Sequence, residues 1–549
     1  MEREFNLIDE AWIKVMTDDC AIQEISLKEA LLNSHKFSRL SGETVAQDFA
    51  VLRLILAIMY TVFSRYDLNG NEIDLRENPD IAMDQWKDIW KAHKIPSKPI
   101  ESYFEKWYDR FWLFDDEQPF YQSKSVYEKS KPTNTAKMIG TLFESGNKQR
   151  LFSDRMRQGR LLSYSEAARW LLHLNCFDDI AAKNPTPKRS WLCRCGLVAI
   201  KGETLFETIL LNFYATCDVD RGVYSENPSW EQDNSTAEFN RLIPVPKDQA
   251  ALLSLMSRRI WLCREDNKVT GYYLSGGDYF EDDELFEEEH MTLWKAYQEK
   301  KGKDAPCKFK PRLYTSAKKI WREFGSIVGA EEKDSKKSKR PGVINWIHKL
   351  IDGNVLNSRT YMIKLVTAAV IYDYNQATSL PVIDTISDSL DFHAQLIQDT
   401  SLRWRNVIIS EIENCDKAAK HVEYLYKNLQ IANGRADKDA NTIQSGEADA
   451  KMQFYDRIDR TFRLWLAGVV DDHDIDEYTV SLEKDLASIA RKIGNSIAEQ
   501  VSSQAIFVFR ETELGNNDKK RIGKSFALAL NRYFAAISKI FKKAGEMSE

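Results

Sequence analysis

Three motif types are missing from this sequence. Its 549 residues hold no Walker loop, no dinucleotide-binding glycine pattern and no closely spaced pair of metal-binding histidines. Their absence removes the commonest routes to nucleotide hydrolysis, hydride transfer and zinc-dependent hydrolysis. The eight cysteines (Cys20, Cys176, Cys193, Cys195, Cys217, Cys263, Cys307 and Cys415) are too sparse for a disulfide scaffold and fit a reducing compartment. Cys193-Arg194-Cys195 lacks the two-residue spacing of a zinc knuckle, and a structural zinc drawing on Cys176 or Cys217 stays open. No run reaches the roughly 18 consecutive apolar residues of a membrane span. The opening MEREFNLIDEAWIKV has acids where a signal peptide needs cations. The expectation is a cytoplasmic protein with no membrane contact, no metal and no cofactor.

What is present is ordinary globular composition, with 43% hydrophobic, 29% charged and 11% aromatic residues, in a chain too long for one core. The stretch ETVAQDFAVLRLILAIMYTVFSRY spaces its apolar residues as a buried helix does. GLVAIKGETLFETILLNF reads as a strand, a turn and a helix opening at Thr204, and RRIWLCREDNKVTGYYL as a hairpin turning at Asp266 and Asn267. Helices and strands mix without a βαβ rhythm, which predicts an irregular α+β domain over 1–384. From about residue 385 only amphipathic helices are expected. Ile408, Ile412, Cys415, Ala419, Val422 and Leu429 stripe the first, and Ile458, Phe462, Trp465 and Leu466 the second. Leu482, Leu486, Ile489, Ile493, Ile497 and Val501 mark the third, and Phe526, Leu530, Phe534, Ile537 and Phe541 the fourth. Four such stripes close as a four-helix bundle over 385–549.

The formal net charge is -6, yet positive charge is concentrated locally. SGNKQRLFSDRMRQGR, 145–160, sets Lys148, Arg150, Arg155, Arg157 and Arg160 against one acid, Asp154, with Phe152 among them. Residues 299–340 carry fourteen Lys and Arg against six Asp and Glu, and EDDELFEEE just upstream has seven acids in nine residues. Solvated loops are the plain reading of both runs. DDHD at 471–474 brings His473 among acids, but adjacent residues cannot all face one ion from a helix, and Asp-rich turns commonly cap helices.

FNLIDEAWIKV, SLKEALLNSHKFSRLSG, LFDDEQPFYQ, KGETLFETILLNF and FYDRIDRTFRLWLAG occur in that order from end to end. Together they resemble the CasA family, the large subunit of the type I-E CRISPR surveillance complex Cascade. Ala11 and Lys14 depart from the prolines common in the family's opening motif, at what the sequence suggests is a strand edge. The resemblance implies a non-catalytic subunit at the guide RNA's 5′ end that recognises a protospacer-adjacent motif in duplex DNA and starts unwinding. It further implies contacts with the displaced strand, with the small, backbone and 5′-handle-binding subunits, and with a separate nuclease-helicase.

Residue by residue, the resemblance puts Lys148 and Arg150 on phosphates and lets Asn147 or Phe152 reach the minor groove. KNPTPKRSW at 183–191 stands where the family has a glycine-rich turn, so Lys188 and Arg189 would supply side-chain contacts instead. Lys308 and Lys310 fall near the family's minor-groove lysine, and YDYNQATS at 372–379 sets Gln376 in place of its strand-separating glutamine, with Asn375 beside it. In the bundle, Arg403, Arg405, Arg491 and Lys492 are candidate contacts to a single strand. The alternatives are a metal-dependent nuclease built from scattered carboxylates, and a structural adaptor without DNA recognition.

Overall fold

The structure is a computed structural model that describes residues 3–75, 80–129, 131–139, 160–177, 190–215, 225–234, 238–281, 285–297, 308–312, 319–329, 339–372, 382–433, 440–501, 510–512 and 522–544. It mixes helices with several small sheets and ends in long helices. Two compact units form: Met1–Ser316 with Glu331–Leu356 and Lys364–Ser389, and Ala317–Ala330 with Asn357–Ile363 and Leu390–Glu549.

The first unit is organised around helix Val45–Phe63, opened by the Thr44 hydroxyl, which accepts from Gln47 N–H. By length and composition this helix could cross a membrane, but 89% of its most apolar window is buried within the protein. Mid-helix, Arg53 is 1% exposed and donates both terminal nitrogens to Glu289, at 3.0 Å each, while its guanidinium lies 5.0 Å from the Trp191 ring centroid. Glu289 also accepts from Met291 N–H at 2.8 Å. The last acid of the run at 281–289 is therefore core, not solvated loop.

Three small sheets build on this centre. Ile22–Ile25, Ile13–Met16 and Arg39–Leu40 form one, with Ile13–Met16 in the middle. Lys14 thus sits on the central strand rather than an edge, and its ammonium pairs with Glu43 at 2.8 Å. Arg258–Glu265 and Lys268–Gly276 form the expected hairpin, with Asp266 and Asn267 both left-handed (φ 49° and 57°) as a type I′ turn demands. Leu197–Ile200 pairs with Met362–Tyr372, whose other neighbour is Val382–His393. Thr204 caps helix Leu205–Asn212 where the sequence placed its start, and any side chain at Gly202 would collide with Glu207 Cβ.

In the second unit the long helices are Leu402–Ala432, Ala440–Ala467, Ile475–Glu499 and Phe526–Ile540. The first two stripes are buried as read, and the third is buried except for half-buried Ile489 and Val501. The fourth is buried as read at Ile537 and Phe541 but offset before them: Ala529 and Tyr533 point inward, while Phe526, Leu530 and Phe534 are half-buried. The cause is Tyr533, whose hydroxyl donates to Ala490 O at 2.7 Å and whose ring lies over Gly494. The expectation of helices alone after 385 is corrected, because Val382–His393 runs across that position and Arg510–Thr512 pairs with Ile522–Lys524. The unit also takes in part of the lysine-rich run. Trp321 stacks on Phe462 at 4.1 Å and donates to Asp459 at 2.8 Å, and Arg322 pairs with Asp416 at 2.9 Å over the Tyr455 ring.

Two outcomes follow from this packing. Arg53→Ala or Glu289→Ala alone leaves a buried charge without its partner and is expected to cost about 3–5 kcal/mol, whereas Arg53→Met with Glu289→Leu costs well under the sum; denaturant titration of the three variants checks both outcomes. Gly494→Ala would gain helix propensity, but its Cβ would collide with Tyr533 Cε1. Overpacking outweighs propensity, so a loss of about 1–2 kcal/mol in thermal unfolding is expected; a gain would mean that the ring moves aside freely.

Candidate nucleic-acid interface

Helix Tyr164–Phe177 links two of the candidate segments. Its N-terminus follows 140–159 and is closed by a capping box, in which Ser163 Oγ accepts from Glu166 N–H at 3.1 Å and Glu166 accepts from Ser163 N–H at 3.0 Å. Arg160, the last cation of the basic stretch, pairs with the same Glu166 at 2.8 Å. Its C-terminus leads into 178–189. Midway, Arg169 is 1% exposed and donates to Trp12 O at 2.6 Å, to Glu24 at 2.8 Å and to Glu43 at 2.7 Å. Burial alone would raise the Glu43 carboxyl, but hydrogen bonds from Arg169 and Lys14 hold it down at about 2. The helix is thereby clamped to the N-terminal sheet.

At its C-terminal end, Phe177 O accepts from the Tyr372 hydroxyl. Phe177 is the last described residue before 178–189 and Tyr372 the last before 373–381, so these two segments spring from adjoining anchors. Ser190, on the far side of 178–189, returns to the helix by donating to Leu174 O at 3.3 Å. Burial holds the His173 imidazole down at about 4 and pushes the Cys176 thiol up to about 12. Cys193 and Cys195 are buried, and among the described residues no group of three or more His, Cys, Asp or Glu could hold a metal ion.

A two-stranded ribbon attaches to the same region. Trp294–Tyr297 pairs with Lys308–Pro311, and Gly196 N–H donates to Arg312 O at 2.9 Å just before strand Leu197–Ile200. Alternation divides the ribbon into two faces. Trp294 and Phe309 pack on the cluster of Leu252, Phe280 and Leu285. Lys295, Tyr297, Lys308 and Lys310 share the other face, with Lys295 opposite Lys310 and the Lys310 ammonium 5.2 Å from the Tyr297 ring centroid. Like charges directly opposed weaken a strand pair, so Lys295 against Lys310 is a cost that an anion lying across the ribbon would offset. The sequence reading missed Lys295; its signal was the alternation in WKAY, where a lysine and a tyrosine bracket a small residue after a core tryptophan.

Among the predicted site residues, Lys308 and Lys310 lie on this ribbon. Asn147, Lys148, Arg150 and Phe152, Lys188 and Arg189, and Asn375 and Gln376 lie outside the described residues. In the helical unit Arg405 is corrected: it is 3% exposed and donates to Gln398 O at 3.1 Å, so it belongs to the packing, not to a surface. Arg403, Arg491 and Lys492 are exposed. The DDHD turn is a helix start, with Asp474 accepting from Glu477 N–H at 2.9 Å and the His473 ring stacked 4.5 Å from Tyr478.

The chain resembles known proteins over most of its length. Residues 6–496 match the family model for CRISPR-associated protein Cse1. The CRISPR-associated protein CasA/Cse1 of Thermus thermophilus is 31% identical over 233 residues, a match spanning 41% of this chain and 42% of that protein's length. The crystal structure of Thermobifida fusca Cse1 superposes with a TM-score of 0.80 at 23% identity, covering 99% of each chain. A chain of a CRISPR RNA-guided surveillance complex superposes at 0.65 with 14% identity, covering 98% of this chain and 100% of that one. By the extent of the family match, from the first strand to the third long helix, this chain belongs to the CRISPR-associated protein Cse1 family.

Proposed function

We propose that this protein is the large, non-catalytic subunit of a cytoplasmic CRISPR RNA-guided surveillance complex, and that it recognises the motif flanking a target in duplex DNA and parts the strands beyond it. The observation that carries this reading is that the described anchors of separate segments lie on one support. The anchors of 178–189 and 373–381 meet through Tyr372 and Phe177, and the lysine ribbon joins beside them at Gly196. Opposed lysines that weaken their own ribbon make sense where phosphates pass. Family membership supports the remainder: contact with the guide RNA's 5′ end, with the small, backbone and 5′-handle-binding subunits, and with a trans-acting nuclease-helicase. In this reading 1–384 carries the duplex contacts, and the bundle over 385–549 faces the displaced strand through Arg403, Arg491 and Lys492.

Within the proposal each segment has its own task. Lys148 and Arg150 hold phosphates, Asn147 and Phe152 approach the minor groove, and Lys188, Arg189, Lys308 and Lys310 steady the duplex. Gln376 enters the first base step beyond the motif, its stem filling the gap left by unstacking and its amide meeting the exposed base edges, with Asn375 shaping the turn. No cofactor or metal is needed for these tasks.

Lys148→Ala with Arg150→Ala should weaken target binding for every flanking motif alike and reduce the salt slope by about 1.8, two phosphate contacts' worth. Binding titrations of the assembled complex over a salt series check this, and an unchanged slope takes the segment off the DNA. For Gln376→Ala, motif binding should stay near wild type while R-loop formation slows on fully paired targets and recovers on targets mismatched beside the motif. Wild-type unwinding rates on both targets would return 373–381 to scaffold.

A further inference from the structure

An aromatic cluster on the hairpin sheet lies outside the residues assigned above to duplex recognition. Trp261 and Tyr273 face each other across strands Arg258–Glu265 and Lys268–Gly276, and both are half-buried. Tyr127, from the short helix Ser125–Lys129, covers them, with its ring centroid 5.0 Å from Tyr273 at 74° and 6.5 Å from Trp261 at 50°. Tyr127 itself is 54% exposed, so one edge of a three-ring cluster is open to water. Its position is fixed from below: Val126 is fully buried, and Ser123 donates its N–H to Ile260 O at 2.8 Å and its hydroxyl to Asn234 O at 2.7 Å.

The charges around the cluster narrow what it fits. Residues 123–137 hold Lys124, Lys129, Lys131 and Lys137 against one acid, Glu128, and Lys124 and Lys131 are exposed. Protein interfaces are depleted in lysine, whereas rigid aromatic rings among cations are how proteins hold unpaired bases without reading sequence. Strand Thr133–Asn134 then pairs with Tyr272 and Gly271 of the same sheet and leads on toward 140–159.

We propose that Tyr127, backed by Trp261 and Tyr273, is a stacking platform for the unpaired bases of a single-stranded nucleic acid, whose backbone runs along Lys124 and Lys131. The platform rests on the reading that this chain handles nucleic acid, but not on duplex recognition.

The test uses the full-length protein and fluorescence anisotropy with three labelled probes of equal length: oligo-dT, oligo-rU and an abasic strand. Stacking predicts tighter binding of a strand with bases than of the abasic one. Tyr127→Ala should weaken binding of the base-bearing strand about tenfold and leave the abasic strand unchanged, while Tyr127→Phe retains wild-type affinity. Preference for oligo-rU or for oligo-dT supports the platform either way and names the strand. Equal binding of abasic and base-bearing strands overturns it, as does an Ala variant that binds like wild type. If Tyr127→Ala spares strand binding but weakens assembly with partner subunits, the surface is a protein contact and the proposal fails. Duplex binding by the Lys148→Ala, Arg150→Ala variant is read separately, so failure of motif recognition and failure of the platform are distinguishable.

Discussion

A guanidinium inside an apolar helix is tolerable only if its partner arrives with it, and that constraint organises the first unit. Arg53 cannot be buried until Glu289, 236 residues away in sequence, brings its carboxylate into register. Once there, Glu289 fixes Met291 N–H, Val198 N–H donates to Met291 O at 2.9 Å, and Trp191 closes over the guanidinium. The strands that support the candidate interface are therefore placed by a charge pair rather than by shape alone. Arg169 repeats the device nearer the surface, and Arg259 with Arg241 on Asp278 does so again beside the hairpin.

Such pairing also explains how one chain can be acidic overall and still gather cations on one local face. Several acids are occupied by the buried arginines Arg53 and Arg169, while lysines stand on the outward face of the ribbon. Net charge is a sum over both populations and so does not describe any one surface.

Much of this was legible in the sequence wherever one local rule decided the outcome. The Asp266-Asn267 turn, the Thr204 cap, the apolar helix after Thr44 and the first two bundle stripes each follow from a short pattern with one stable solution. The rest depended on distant partners. Nothing in EDDELFEEE marks Glu289 as the residue that turns inward, because the reason is Arg53. The offset of the last helix depends on a glycine one helix earlier, and Trp321 leaves a lysine-rich stretch to stack on Phe462. At the candidate interface the sequence pointed to Lys308 and Lys310 but not to Lys295, which only strand register sets beside them. Those two, like the other predicted duplex contacts, rested on family resemblance, and the others lie in 140–159, 178–189 and 373–381, outside the described residues.

Helix Tyr164–Phe177 has a consequence beyond holding its neighbours. Its fourteen residues span about 21 Å, with backbone hydrogen bonds along the rod and Arg169 gripping its middle. A helix of that length has no soft joint, so the Ser163 cap at one end and the Phe177 anchor at the other stay a set distance apart. The helix is in effect a spacer, and lengthening it by one turn would move its Phe177 anchor about 5.4 Å further from its Ser163 cap without altering a side chain at either end.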